Sequence, residues 1–387
     1  MADGSRSSYR GALAGLRSAG IRSRTLTGVN GLTVHFLEAG RQSEGRPLLV
    51  LLHGFPELGY SWRKLMPALA DAGYYVVAPD QRGYGATTGW DASFDGDLAP
   101  FRMFNLVRDV LGVVAALGYE RVHAVIGHDA GAGVAGWCSL LHPDMVSAVA
   151  MMSAPFGGPP ARRPVPDGRP PMAEFDGQLA ALQPPRKHYQ WYYSSRGANA
   201  DMMECPQGLH RFLRGYYHYK SADWPGNRPY RLRGWTATEL AKLPTYYVMN
   251  RGDTMPEAVA PFTPAPEASA ACRWLTDEEL NVYCAAYGAT GFQGGLQWYR
   301  CGSGRVGVDE QQIFAGRTID VPACFISGAA DWGVFQSPGA YERMRDEVCT
   351  RMLGCHLLPG AGHWVQQEQP QRVTELLLDF LRTAGAA

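Results

Sequence analysis

The sequence predicts an α/β fold: a mostly parallel sheet flanked by helices, with an inserted helical cap. Continuous apolar runs such as residues 47–53 suit strands that are buried on both faces of a parallel sheet. Strand-like and helix-like segments alternate up to about residue 156 and again after about residue 304. The block between them is rich in proline, tyrosine and tryptophan and has no strand periodicity, which favours a helical insertion.

The predicted elements follow this rhythm from a hairpin at the Asn30-Gly31 turn onwards. Strands are expected at residues 32–38, 47–53, 74–79, 121–126, 146–152, 321–327 and 355–359. Helices are expected at residues 62–72, 105–117, 131–142, 340–352 and 371–381. In the helix at 105–117, for example, Leu106, Val110 and Leu117 recur on one face.

Three regions follow from this pattern. Residues 1–24 are polar and are expected to form a mobile or loosely docked N-terminal arm. Residues 25–156 and 304–387 form one α/β core, and residues 157–303 form the cap. A proline-rich stretch near 224–267 lengthens the cap, and its role is open.

The composition argues against several classes of protein. Lysine plus arginine and aspartate plus glutamate number 36 each in 387 residues, so nothing favours nucleic acid or a membrane surface as a partner. The first residues lack the apolar core of a secretory signal, and no apolar stretch reaches about 18 residues. We therefore expect a cytoplasmic protein. The eight cysteines form no C-x-x-C pair, which predicts free thiols and no zinc site.

The strongest chemical signal is the segment GHDAG at residues 127–131, where a predicted strand runs directly into a predicted helix. Gly-x-Asp-x-Gly has the layout of a nucleophile elbow, with Asp129 where serine hydrolases carry serine. Glycines permit the sharp turn that projects the middle side chain above the sheet edge. A carboxylate held there can attack an electrophilic carbon and form an enzyme ester. The strand–helix junction favours this role over an ordinary turn.

The loop after the first buried strand supplies a candidate oxyanion hole. His53 and Gly54 end that strand, and the next amide belongs to Phe55. In a nucleophile-elbow layout this amide and the amide of Ala130, the residue after the nucleophile, would bind a tetrahedral oxyanion. An ordinary turn is the alternative for this short motif.

Two loops near the C-terminus supply a candidate base and its partner. His363 follows the last predicted strand in a glycine-rich loop, which makes it the candidate general base. Asp331 closes the preceding strand and would orient His363 and stabilise its protonated form. The competing acid position follows the strand that ends near Ser153, where no carboxylate occurs.

At this point the sequence resembles the epoxide hydrolases of the α/β-hydrolase fold, over most of the chain from about residue 25. The segments HGFPE, GHDAG and AGHWVQQEQP carry the resemblance. It implies that two cap tyrosines hydrogen-bond the epoxide oxygen and act as acids. Tyr299, in the segment GFQGGLQWYR, matches one of them, and Tyr189 matches the other, with Tyr192 as the alternative.

Residues near these motifs are expected to bind the substrate. They are His53, Pro56, His128, Trp298, Trp332, Trp364 and Tyr192. Ala130 stands where the family often has tryptophan, which predicts a roomier pocket beside the nucleophile.

The residues and the resemblance together predict hydrolysis of an epoxide to a vicinal diol through an ester on Asp129. A small-molecule epoxide and water are the expected partners, and no metal or organic cofactor is required. A haloalkane or haloacid dehalogenase with the same nucleophile is one alternative, and a catalytically silent binding protein of the same fold is another. The identity of the epoxide, the role in detoxification, catabolism or biosynthesis, and assembly as a homodimer are left open.

Overall fold

The computed structural model describes residues 8–40, 45–162 and 172–385. Its strands are β1 (Arg22–Val29), β2 (Leu32–Ala39), β3 (Leu48–Leu52), β4 (Tyr75–Pro79), β5 (Ala124–His128), β6 (Val149–Met152), β7 (Arg186–His188), β8 (Val248–Asn250), β9 (Ala323–Gly328) and β10 (Met352–Leu358). Eight of them form one sheet in the spatial order β1-β2-β4-β3-β5-β6-β9-β10. The pairings β1–β2 and β2–β4 are antiparallel, and the others in this sheet are parallel. The predicted mostly parallel sheet is therefore confirmed.

Helices cover both faces of this sheet and fill the insertion. The α-helices before the insertion are α1 (Met66–Asp71), α2 (Met103–Ala116) and α3 (Ala130–Leu141). Those between β6 and β9 are α4 (Met172–Ala180), α5 (Tyr189–Tyr193), α6 (Ala198–Met203), α7 (Leu209–Lys220), α8 (Ala237–Leu240), α9 (Met255–Val259), α10 (Pro266–Ala271), α11 (Asp277–Thr290), α12 (Gln293–Ser303) and α13 (Val308–Gln312). The last three are α14 (Ala340–Arg343), α15 (Val365–Glu368) and α16 (Pro370–Gly385).

The central strands hold the layers together because successive side chains point to opposite faces. Leu49 and Leu51 of β3 join the core cluster that includes residues of α1 and α16. Val50 and Leu52 join the cluster that includes residues of α2 and α3. Every residue of β3 and of β5 is buried, which explains why β3 is a continuous apolar run and why β5 begins with three apolar residues.

Parallel pairing brings the carboxyl ends of the central strands to one edge of the sheet. Leu52 of β3 lies beside Gly127 of β5, and Met152 of β6 lies beside Ile326 of β9. The loops that leave these four strands therefore emerge together. In open α/β sheets, ligands bind outside the carboxyl ends of the strands.

The segment between β6 and β9 is largely helical, as predicted, and it also contains two short strands that the sequence pattern did not indicate. β7 and β8 form a small antiparallel sheet in which Lys187 pairs with Met249. Each of these strands has only three residues. Such a length is too short to show an alternation of apolar and polar side chains.

The N-terminal arm is docked, so its expected loose association with the core is wrong for the residues described from Ser8 onwards. Residues 8–12 are helical, and a 3₁₀ helix spans Leu13–Ala19. Tyr9 is buried, and its hydroxyl donates to Asp80 Oδ1 at 3.3 Å. The apolar side chain of Leu13 is buried as well. Burial of these two side chains stabilises the docked position of the arm, although most of its residues are polar.

Two predicted helices are shorter than expected. In the first, a 3₁₀ helix at Gly59–Trp62 precedes α1, which begins only at Met66. In the second, α14 ends at Arg343 and continues as a π-helical turn over Met344–Val348. β10 then begins at Met352, three residues earlier than predicted.

Other global features concern membranes, metals and cysteines. Within the described ranges, no helix is long and apolar enough to cross a membrane. The same residues contain no cluster of three or more histidine, cysteine, aspartate or glutamate side chains with metal-ligand geometry. All eight cysteines carry free thiols, and five of them are buried.

Candidate active site

Asp129 lies at the tight turn between β5 and α3, at the sheet edge described above. Its backbone has φ of 52° and ψ of −120°, a left-handed conformation that is rare for a residue with a side chain. A Cβ at Gly127 would lie 2.2 Å from the carbonyl oxygen of Gly131, and one at Gly131 would lie 2.4 Å from that of Leu52. The two glycines are therefore required for the close packing of this turn.

The Asp129 carboxylate is 13% exposed and reaches donors on two sides. The Phe55 amide donates to its Oδ1 at 3.1 Å, and Nε2 of His363 lies 3.5 Å from its Oδ2. Burial opposes ionisation, yet the His363 imidazole, with smaller contributions from Lys220 and His128, holds the pKa of Asp129 well below its usual range. The group is therefore an anion at neutral pH.

Both candidate oxyanion-hole residues lie beside this carboxylate. The Phe55 amide is already aimed at it, and Gly54 has no room for a Cβ, which would lie 2.4 Å from Asp129 Cβ. Ala130 is the first residue of α3 and lines a cavity together with Asp129. An amide in the first turn of a helix has no partner within that helix and is free to bind an anion.

His363 lies between two carboxylates. Its Nδ1 is 3.1 Å from Oδ1 of Asp331, which also accepts from the Gly333 amide at 2.7 Å. The Ser327 hydroxyl donates to Asp331 Oδ2 at 3.0 Å. Burial opposes ionisation of Asp331, but His363, with smaller contributions from the Ser153 hydroxyl and the Gly333 amide, lowers its pKa. An ionised Asp331 favours the tautomer with a proton on Nδ1, which leaves Nε2 free to face Asp129.

His128 lies behind Asp129 and is not among the residues that line the neighbouring cavity, so the structure does not support its expected contact with substrate. Its Nδ1 lies 2.6 Å from Glu57 Oε2, and its Nε2 lies 2.7 Å from the His363 carbonyl oxygen. Both side chains of the His128–Glu57 pair are fully buried. Burial opposes protonation of His128, yet Glu57 raises its pKa. The His128–Glu57 pair is therefore linked by a hydrogen bond to the backbone of the loop at residues 359–364, which carries His363 and is called the base loop below.

Two of the predicted tyrosines lie close together in the cap. The ring centroids of Tyr189 and Tyr299 are 5.9 Å apart. The Tyr189 hydroxyl donates to Gln336 Oε1 at 3.2 Å and accepts from Gln190 Nε2 at the same distance. Burial, with a contribution from the nearby Asp129 charge, raises the pKa of both phenols. Both therefore remain protonated at neutral pH.

A cavity of about 440 Å³ opens beside Asp129, between the core and the cap. Asp129, Ala130, Trp298 and Tyr299 line it, so four of the predicted site residues meet there. The other lining residues are largely apolar and come from the segment before α2, the first turn of α2, the turn of α3, the loop after β6 and the inserted helices: Tyr84, Phe101, Met103, Leu106, Gly133, Ala154, Pro155, Phe156, Gly157, Gln190, Cys301, Gly302, Val306, Val308 and Gln311.

The remaining residues predicted to bind substrate have other partners and do not line this cavity. His53 Nδ1 lies 2.8 Å from the Gly54 carbonyl oxygen, and the Tyr192 hydroxyl donates to Asp201. The indole of Trp364 donates to the Tyr217 carbonyl oxygen. Two further residues complete this group: Pro56, whose carbonyl oxygen accepts from the Tyr217 hydroxyl, and Trp332, which packs against the ring of Tyr230.

Sequence reasoning missed several residues of the site. Lys220 is a buried cation surrounded by aromatic rings, with its Nζ 4.9 Å from the ring centroid of Tyr247. Phe156 lies in the loop after β6, and Gly133 lies in the first turn of α3. The topology could have indicated the last two, because both follow carboxyl ends of parallel strands. Nothing in the local sequence distinguishes Lys220 from a surface lysine.

Comparisons with known proteins agree with this architecture. A family model described as alpha/beta hydrolase fold matches residues 47–370. Epoxide hydrolase A of Mycobacterium tuberculosis is 35% identical over 366 residues, which cover 94% of this chain and 98% of that protein. The solved structure of an epoxide hydrolase from an endophytic Streptomyces has a TM-score of 0.76 and 30% identity, and covers 95% of this chain and 97% of that one. Potato (Solanum tuberosum) epoxide hydrolase I has a TM-score of 0.71 and 29% identity, with coverages of 94% and 99%.

Proposed function

Because the chain belongs to the epoxide hydrolases of the α/β-hydrolase fold, we propose that it opens an epoxide to a vicinal diol through an ester on Asp129. The arrangement that carries this proposal is a carboxylate nucleophile at an elbow, in contact with a histidine–aspartate pair and facing a cavity that a cap tyrosine also lines. It contains each group that a two-step displacement needs.

In the first step, an oxygen of ionised Asp129 attacks an epoxide carbon and the carbon–oxygen bond of the ring breaks. Tyr299 or Tyr189 gives its proton to the departing ring oxygen, which leaves a hydroxyalkyl ester and a phenolate. The low pKa of Asp129 and the raised pKa of both phenols keep each group in the form that this step uses.

In the second step, Nε2 of His363 takes a proton from water, and the resulting hydroxide attacks the ester carbon of Asp129. The amides of Phe55 and Ala130 bind the tetrahedral oxyanion. When it collapses, the diol alkoxide takes the proton from His363, whose cationic form Asp331 has stabilised. The proton of the new carboxylic acid returns to the phenolate, so epoxide and water are converted to diol without other reactants.

The cavity indicates the class of epoxide. Its walls are mostly apolar, with Phe101, Met103 and Phe156 as large side chains and Gln190 and Gln311 as the amides. A neutral epoxide with a bulky apolar substituent fits such a surface better than a charged one, because burial of an unpaired charge is costly. Small Ala130 leaves this space open beside the nucleophile.

The test compares the wild type with Asp129→Ala, His363→Gln and Asp144→Ala, an exposed control, on styrene oxide and a panel of other epoxides. We expect diol from the wild type and the control only. His363→Gln should consume about one epoxide per active site and retain it as an ester detectable by intact mass. A single wild-type turnover in heavy-oxygen water should leave the label on the enzyme and release unlabelled diol.

Other outcomes would redirect the assignment. Halide release from haloalkanes or haloacids, without diol formation, would identify a dehalogenase with the same nucleophile. Inactivity of the wild type on both panels would favour the binding-protein alternative. Heavy oxygen in the diol of the first turnover would contradict the ester, because it would mean that water attacks the epoxide directly.

A further inference from the structure

The loop that carries His363 is held by the cap as well as by the core. The His363 amide donates to the Lys220 carbonyl oxygen at 2.9 Å. The indole of the next residue, Trp364, donates to the Tyr217 carbonyl oxygen at 2.8 Å. Both acceptors belong to the last turn of α7. The position of the base therefore depends on the C-terminal end of a cap helix.

Backbone packs directly on backbone at this contact. A Cβ at Gly362 would lie 2.5 Å from the carbonyl carbon of Ser221 and 2.6 Å from the amide nitrogen of Ala222. Distances this short leave no room for any side chain at residue 362. The base loop and the chain after α7 are therefore in close contact, with no intervening layer of side chains.

One carboxylate joins the two segments. Glu368 Oε2 accepts from the amides of Ala222 at 2.8 Å and Gly362 at 2.9 Å, and its Oε1 accepts from the amide of Trp364 at 2.9 Å. Burial raises the pKa of Glu368, and these three amide donors oppose the rise because they stabilise the carboxylate. The bonded amides include those on both sides of His363.

We propose that Glu368 is a positioning residue for the general base, which it fixes by clamping the base loop to the cap. This inference rests on the function proposed above. Glu368 touches neither Asp129 nor the cavity, so its effect reaches the reaction only through the placement of His363. Loss of the clamp would let the loop shift and carry Nε2 away from its position 3.5 Å from Asp129.

The two chemical steps should respond differently to such a shift. Ester formation uses Asp129 and the tyrosines, whereas ester hydrolysis needs His363 to take a proton from a water directed at the ester carbon. Proton transfer requires hydrogen-bond distance, and a misplacement of about 1 Å can cost about 100-fold in rate. Loss of the clamp should therefore slow the second step selectively.

Glu368→Gln is the informative variant because it keeps the volume of the side chain. The carboxamide NH₂ replaces one acceptor oxygen with a donor that faces at least one backbone amide, so at least one of the three bonds is lost. Glu375→Gln is the matched control, since Glu375 lies on the exposed surface of neighbouring α16, where it pairs with exposed Arg372. Gly362→Ala is a second, independent variant that disturbs the same contact by steric overlap.

The experiment is a single turnover of styrene oxide, quenched at intervals, with the fraction of esterified enzyme read from the intact mass. We expect Glu368→Gln to form the ester within about twofold of the wild-type rate and to hydrolyse it 10- to 100-fold more slowly. The Glu375→Gln control should match the wild type in both steps. Gly362→Ala should repeat the accumulation of ester.

The results separate the two proposals. If the wild type forms diol without an ester, the proposed function fails, and the positioning role is overturned with it because there is no ester to hydrolyse. Suppose instead that the wild type forms the ester. The positioning role is then overturned if Glu368→Gln and Gly362→Ala slow ester formation and ester hydrolysis equally, and also if they slow neither step. A fall in Tm with an unchanged ratio of the two rates would likewise assign Glu368 a purely structural role.

Discussion

At the scale of single residues, two aspartates beside one imidazole differ in their surroundings. Asp331 is 1% exposed and accepts from a hydroxyl and an amide in addition to His363. Asp129 faces a cavity and accepts from one amide. The surroundings of Asp331 suit the proposed role of orienting His363, whereas Asp129 has an oxygen available for the proposed attack. The difference in donors therefore supports the different roles that we propose for the two carboxylates.

The tyrosine pair leads to a prediction at this scale. Tyr299→Phe and Tyr189→Phe should each slow ester formation by about 100-fold, because each removes a candidate proton donor while keeping the ring. Rapid-quench measurement of the ester tests this. Burial, the neighbouring Tyr189 and the Asp129 charge raise the pKa of Tyr299. The wild-type rate should therefore stay level as the pH rises to the ordinary tyrosine value of 10.0.

Tyr193→Phe is the control for this prediction. The Tyr193 ring lies 4.9 Å from that of Tyr299, but its hydroxyl donates to Tyr216 at 3.3 Å. If Tyr299→Phe and Tyr189→Phe both form the ester as fast as Tyr193→Phe does, the epoxide oxygen receives its proton from another group.

The sequence was most informative about position, since it predicted which loops would carry the candidate site residues. Asp129, Asp331 and His363 each follow a parallel strand, and the topology brings them together. The roles assigned to them stay predictions. His128 shows the limit of this reasoning, since it adjoins the nucleophile in sequence yet points away from the cavity. It is the last residue of β5, and successive residues of a strand point in opposite directions.

At the scale of secondary-structure elements, the length of a strand determines whether the sequence pattern predicts it. Buried strands of five residues or more, such as β3, appear as continuous apolar runs and were anticipated. The three-residue strands β7 and β8 show no periodicity, and β7 closely follows prolines in the sequence. The π-helical turn after α14 depends on a hydrogen bond from the Cys349 amide to the Met344 carbonyl oxygen, which no propensity scale reports.

The start of α5 gives a prediction of pH-dependent stability. His188 is the N-cap of this helix, and its side chain accepts from the Gln190 amide. Burial lowers the pKa of His188 from 6.5 to about 4. Between these pH values the unfolded chain binds a proton that the folded protein does not. The free energy of unfolding therefore decreases by up to about 3 kcal/mol as the pH is lowered from 6.5 to about 4.

His188→Asn should remove this dependence, because asparagine caps a helix without titrating. Thermal or urea unfolding at several pH values would measure it. We expect the stability of the variant to fall less than that of the wild type between pH 6.5 and pH 4. Parallel losses in the two proteins would mean that other groups cause the acid destabilisation.

At the scale of the whole molecule, the cavity arises because two regions of the chain enclose it. Residues of α2 and α3 and the loop after β6 form one side, and α12 and the segment through α13 form the other. A Cβ at Gly133 would meet only the Met103 methyl carbon, at 3.9 Å. The chain therefore leaves a space there that a larger side chain could enter.

Gly133→Leu should fill part of this space. We expect kcat/KM for epoxides with bulky substituents to fall about 10-fold or more, and that for a small epoxide such as propylene oxide to change little. Gly288→Leu, on an exposed surface of α11, controls for the gain in helix propensity of about 1 kcal/mol. An equal loss on large and small epoxides would contradict this assignment of the substrate pocket.

The insertion between β6 and β9 has a consequence for synthesis of the protein on the ribosome. Neighbouring strands β6 and β9 pair residue Met152 with Ile326, so the whole cap must be translated before this part of the sheet can close. At about 5–20 residues per second, His363 is added to the nascent chain about 10–50 seconds after Asp129. The cap is complete before the loop of His363 that docks on it, so the group proposed for the hydrolytic step is placed last in each new molecule.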